Sequence, residues 1–190
     1  MSCPLGYTSD KEPPGAEGSP AAEPSEPSGL SRERGVSGIP QVDGELWPYP
    51  SPAQFHSATL AKGHSINKEK IPLIVDIHNA VNEEAWRRIL AWERKNHPDC
   101  LDTRLIRFVG RPGDRSPTSL FNEYFRGRLP PFDRHDWLID RCGREHVRYV
   151  VDFYDGKLEE GMVGVPICVD ARPALDSLGA FIDRLKSCFS

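Results

Sequence analysis

Large apolar side chains first gather at Trp47, Tyr49, Phe55 and Leu60, and from there they recur with periods that separate helix from strand. Ser51-Pro52 predicts a short helix opened by a serine cap with proline in its first turn, Phe55, Thr59 and Leu60 facing inward and Gly63 closing it. "KIPLIVDIHN", rich in β-branched residues, predicts an extended segment. A helix then starts near Asn79 or Asn82, with Glu83 and Glu84 in the favourable first turn and an apolar stripe of Trp86, Ile89 and Leu90. Asn96-His97-Pro98 stops it. "RLIRFVG" predicts a strand, and Ser116-Pro117 opens a helix through "TSLFNEYF" that breaks between Gly127 and Pro131. Asp133 predicts the cap of a short helix, "DRHDWLIDR", ending at Cys142-Gly143.

Beyond that turn the period changes to two. Val147, Tyr149, Val151 and Phe153 alternate as the inward face of a strand that turns at Asp155-Gly156 and pairs with "VGVPICVDA", where Pro166 requires an edge or a bulge. The last helix is predicted from about Pro173 to Phe189, with Leu175, Leu178, Phe181, Ile182, Leu185 and Phe189 on one face. No βαβ rhythm links these elements. The expected class is α+β, several helices packed with a small antiparallel sheet.

Composition divides the chain. Residues 1–44 are mainly Pro, Gly, Ser, Ala and Glu, too poor in apolar area to offset ordering, so they read as a disordered tail carrying one Cys-Pro pair, Cys3-Pro4. Residues 45–190 read as one packed domain. With 24 basic against 28 acidic residues, a net charge of −4 and no basic stripe, nothing supports nucleic-acid binding. No apolar run is long enough to span a bilayer and the first residues lack the pattern of a secretory signal, so a soluble or peripheral chain is expected. The five cysteines form no C-x-x-C pair and are odd in number; reduced thiols are expected, with Cys142, Cys168 and Cys188 as packing residues. Phosphate-loop, nucleophile-elbow and zinc-protease motifs are absent, as is C-x-x-C-H, so the chain is not itself a c-type cytochrome.

The remaining candidates are histidines and arginines. His78, placed by this reading just outside a helix N-terminus, would be kept neutral by the macrodipole, and neutral imidazole is the form that binds metal. The residues alone favour a capping or packing role for it. His135 has Asp133 and Asp136 beside it, and a carboxylate can fix an imidazole tautomer, so acid–base work and a structural role both stay open. Arg134, Arg141, Arg144 and Arg148 could meet propionates or other carboxylates as bidentate donors, or pair with Asp133, Asp136 and Asp140.

"WPYPS" (47–51), "IHNAVNEEAW" (77–86), "LPPFDRHDWLIDRCG" (129–143), "VRYVVDFYDG" (147–156) and "DARPALDS" (170–177) together resemble the cytochrome c haem lyases, or holocytochrome c synthases, in the expected order over nearly all of residues 45–190. The resemblance implies an enzyme of the mitochondrial intermembrane space, peripheral on the inner membrane. Its substrates would be haem and apocytochrome c, with cytochrome c1 left open, and its product would carry thioether bonds between haem vinyls and the C-x-x-C-H cysteines. It implies His78 as axial ligand of haem iron and His135 as the second catalytic histidine. Trp47, Tyr49, Asn79, Glu83 and Arg141 are carried over as haem contacts, and Cys3 as part of a haem-regulatory Cys-Pro pair. A non-enzymatic haem carrier or sensor is the alternative.

Overall fold

The computed structural model describes residues 29–111, 113–127, 129–156 and 166–188. Residues 1–28, and with them Cys3-Pro4 and most of the expected tail, lie outside the described residues. Helix α1 (Pro52–Ala61) begins as the sequence predicts: Ser51 Oγ accepts from Gln54 N while Gln54 Oε1 accepts from Ser51 N, a reciprocal capping box. Phe55, His56 and Thr59 are buried, whereas Leu60 faces solvent.

The expected extended segment at 70–79 is instead helical. A single 3-10 turn, Lys68–Lys70, leads into α2 (Ile71–Asn96), 26 residues long, with Pro72 in its first turn. Ile71, Val75, Ala85, Trp86, Ile89 and Glu93 are its buried residues, and His78 and Asn82 fall on the same side at helical spacing. Two polar residues in the middle of the stripe concealed its period, and the β-branched run before them imitated a strand.

Strand β1 (Thr103–Gly110), helix α3 (Pro117–Arg126), β2 (Asp133–Arg141), β3 (Glu145–Asp155), β4 (Ile167–Pro173) and helix α4 (Leu178–Cys188) complete the fold. The four strands form one antiparallel sheet in the order β1-β2-β3-β4. β4 is therefore an edge, and Pro166 lies just before it, where a missing N–H is tolerated. Strand β2 occupies the segment expected to be a third short helix. Its burial alternates perfectly, with Asp133, His135, Trp137, Ile139 and Arg141 inward. Three of those five are ionisable, so a hydrophobic count misses the alternation that the backbone obeys. Between β2 and β3, Cys142 and Gly143 both have positive φ (53° and 68°) and Arg144 N donates to Arg141 O, the signature of a type I′ hairpin turn. A register shift between Leu105 and Arg107 lets both Leu105 and Phe108, three residues apart, reach the inner face.

The core lies between α2 and the inner face of the sheet, joining Ala85, Trp86 and Ile89 to Leu105, Phe108, Trp137, Ile139, Val147, Tyr149, Val151 and Phe153. Ile39 belongs to it and is 0% exposed. The packed region thus begins earlier than residue 45: Trp47 N donates to Ile39 O, Leu105 N donates to Pro40 O, and a segment with few apolar residues is held by backbone pairing to β1. Cys100 and Cys142 form a disulfide that ties the α2–β1 loop to the β2–β3 turn, where reduced thiols were expected. The two cysteines are 42 residues apart, and only the antiparallel return of β2 along β1 brings them together. Cys168 is free and exposed. Among the described residues no helix is long and apolar enough to cross a membrane.

Candidate functional site

Helix α2 carries His78 one turn after Ile74, and His78 Nδ1 lies 2.7 Å from Ile74 O. A carbonyl can only accept, so Nδ1 carries the proton and the lone pair sits on Nε2. The ring packs against Phe55 of α1 with centroids 5.5 Å apart, and the Ser51 capping box fixes where Phe55 stands. Burial holds the imidazole below the ordinary histidine pKa; the Ile74 carbonyl opposes this, while His135 lowers it further and Asp133 raises it. His78 is therefore an electrostatic neighbour of the two inward polar groups at the start of β2.

Those groups share one face of the strand because they are two residues apart. His135 is 8% exposed, stacks on Phe108 (5.8 Å, 12°) and meets Phe153 edge-on at 5.0 Å. Its Nε2 stands 3.2 Å from Asp133 Oδ2, at ion-pair distance but out of alignment, and neither ring nitrogen has a hydrogen bond among the described residues. Asp133 is the carboxylate partner. Asp136 points to the other face, where Arg134 and Arg148 hold it. A buried imidazole with both nitrogens unsatisfied is costly and calls for a further polar partner.

The segment before α1 closes the other side of α2. Tyr49 Oη donates to Glu83 Oε1 at 2.9 Å, Gly38 N donates to the same oxygen at 2.8 Å, and Asn79 Nδ2 lies against Gly35, where a Cβ would come within 3.1 Å. A Cβ on Gly38 would stand 2.9 Å from Glu83 Oε2, so glycine permits this close crossing. Burial, then the Glu83 hydrogen bond and charge, raise the Tyr49 pKa well above its usual value, so the phenol stays neutral. Trp47 packs on Phe108 at 4.9 Å, and Phe108 in turn on His135. Trp47 and His135 are thereby linked through Phe108, His78 lies within electrostatic reach of His135, and Tyr49 of the preceding segment meets Asn79 and Glu83 of α2 nearby.

Arg141 is elsewhere. It lies six residues along β2 from His135, roughly 20 Å at strand rise. Its guanidinium is held by Glu93 at 2.6 and 2.8 Å, by Asp183 at 3.3 Å and by Glu145. Tyr149 Oη donates to Glu93, and His97 Nε2 lies 2.8 Å from Asp183. This buried network docks α2, β2, β3 and α4 on one another. Phe108, Phe153 and the specific choice of Asp133 were not found by sequence reasoning; alternation along 133–141 was the available signal.

A family profile described as Cytochrome c/c1 heme lyase matches residues 17–188. The chain is 44% identical over 170 residues to the holocytochrome c-type synthase of Homo sapiens, covering 86% of this chain and 62% of that one. It is 35% identical over 189 residues to the holocytochrome-c synthase of Saccharomyces cerevisiae (86% and 69%) and 40% identical over 164 residues to a putative holocytochrome-c1 synthase of Schizosaccharomyces pombe (82% and 74%). Against the probable holocytochrome-c-type synthase of Caenorhabditis elegans it spans 60% of the relative's length, about the same share as for the human protein. No solved structure matches. On the family match and these identities, the chain belongs to the cytochrome c/c1 heme lyase family.

Proposed function

We propose that this chain is a holocytochrome c synthase, which joins haem to apocytochrome c. The carrying observation is the tautomer of His78: with Nδ1–H committed to Ile74 O, the Nε2 lone pair is the donor for haem iron. A porphyrin supplies four nitrogens itself, so one axial imidazole suffices to hold it. The histidine of the substrate's C-x-x-C-H takes the opposite axial position and brings both thiols against the vinyls. Each thiol S–H adds across a vinyl C=C; a C–S bond forms at one carbon, hydrogen goes to the other, and no oxidant is consumed. Orientation supplies most of what such an addition needs, on the order of 7 kcal/mol or more where the fit is good.

His135, buried with Asp133 at its Nε2 and within electrostatic reach of His78, is the second catalytic histidine, able to take the thiol proton or return it to carbon. Trp47, Tyr49, Asn79 and Glu83 form the wall around the haem. Arg141 holds the fold and not a propionate. The proposed setting is the mitochondrial intermembrane space, with the chain peripheral on the inner membrane; Cys3 belongs to a haem-responsive Cys-Pro pair. The family's name covers c and c1, and apocytochrome c1 is to be tried in parallel.

The test is co-expression with apocytochrome c in bacteria lacking a maturation system of their own. Covalent haem on the cytochrome is expected, and His78→Ala is expected to abolish both haem retention and attachment. Haem retained by the chain while the cytochrome stays apo would identify a carrier instead.

A further inference from the structure

Helices α3 and α4 are built inside out. In α3 the buried residues are Ser119 and Asn122, while Leu120, Phe121, Tyr124 and Phe125 face solvent, Tyr124 at 89%. An open groove of about 540 Å³ runs along them, between Arg115 and Glu123 at its polar edge. In α4, Ala180 and Asp183 are buried, and Leu178, Phe181, Ile182 and Leu185, at i, i+3, i+4 and i+7, are exposed. Polar anchors explain the inversion. Ser116, the cap of α3, donates to the fully buried Asp152 and accepts from Arg172 at 2.6 Å, while Asp183 of α4 is drawn in by Arg141 and His97. Arg184 Nη2 donates to Thr118 Oγ1 at 3.1 Å, so the two helices are neighbours.

Exposed apolar area of this extent marks a contact site. The charges beside it identify the partner. Arg126, over the Phe121 ring at 5.9 Å, and Arg184 and Lys186 stand on the two helices beside the apolar stripes, against one carboxylate on those helices that is not buried, Glu123. On a chain of net charge −4 this face is locally cationic. Apolar side chains with cations at their edges match the boundary of a bilayer bearing anionic headgroups. We propose that the outward faces of α3 and α4 lie in the interfacial plane of an anionic phospholipid membrane. This rests on the membrane association proposed above and assigns the surface that makes it.

Sedimentation of the full chain with phosphatidylcholine vesicles, with and without added phosphatidylglycerol, tests the assignment. Binding is expected to be roughly tenfold or more tighter with the anionic lipid, and to weaken as salt is raised. The exposed-face variant Phe121→Ser/Phe125→Ser/Phe181→Ser should bind roughly tenfold or more weakly while keeping its circular dichroism, and Arg126→Glu/Lys186→Glu should lose the anionic preference. Equal binding by the triple variant would overturn the proposal, as would a wild-type chain that stays off both kinds of vesicle. So would a lipid-free dimer that the triple variant dissolves, because a second copy would then be the occupant. Haem attachment to soluble apocytochrome separates the two readings: the triple variant should retain it, and His78→Ala should lose it yet still bind vesicles.

Discussion

His78 and Arg141 show how one side chain's surroundings decide its work. Both are polar residues turned toward the interior, yet Arg141 is saturated by Glu93, Glu145 and Asp183, whereas His78 commits one ring nitrogen to a carbonyl and lies within electrostatic reach of His135, whose nitrogens have no hydrogen bond among the described residues. Removing Arg141 strands Glu93 and Asp183 as buried charges. Arg141→Ala should destabilise by about 3–5 kcal/mol in urea unfolding, and Arg141→Met with Glu93→Leu should cost less than either change alone. A loss of haem affinity without loss of stability in Arg141→Ala would instead place it at the haem. His78 predicts a pH profile. Its folded-state pKa lies below the ordinary value, so the ligating neutral form persists as pH falls through about 6.5 and haem binding should be lost only below that. For stability the sign is the same: the contribution is fully present above the unfolded pKa and disappears as pH falls through the lowered folded one. Following the Soret band and the urea midpoint against pH checks both.

At the level of elements, local signals told where helices begin better than where strands lie. Ser51 and Ser116 cap α1 and α3 as their Ser-Pro pairs predict, and β1, β3 and β4 follow their apolar alternation. The two stretches whose structure departs from the expectation, 70–79 and 133–141, share a cause. Each turns polar residues toward the core, His78 in one and Asp133, His135 and Arg141 in the other. Hydrophobic periodicity fails where the interior must hold charge or a ligand, so the misreadings fall on the candidate site and its supporting ion network. His78 was legible as a candidate, but on different grounds: the helix mouth invoked for its neutrality is absent, and burial takes that role. The capping box offers an element-scale test. Ser51→Ala should cost about 1 kcal/mol in thermal or chemical unfolding. Because Phe55 packs on His78, it should also weaken haem binding more than the same loss of stability introduced at Ser116, on the far side of the sheet.

Across the whole molecule, covalent and ionic ties meet at one end of the sheet. The Cys100–Cys142 disulfide closes a loop with sequence separation 42, beside the Glu93–Arg141–Asp183 network. Chain-entropy reasoning gives that closure about 4 kcal/mol. Cys100→Ser/Cys142→Ser, or reductant added to the wild type, should lower the unfolding free energy by up to that amount, and an unchanged urea midpoint would show that the bond is not closed in solution. The bond also ties transit to redox state. A polypeptide threaded through a narrow pore must pass as an open chain, so Cys100 and Cys142 have to cross any such barrier as thiols. Once two electrons pass to an oxidant and the two sulfurs join, residues 100–142 form a covalent loop that cannot thread as a single strand, so such a passage is open to the reduced molecule and closed to the oxidised one.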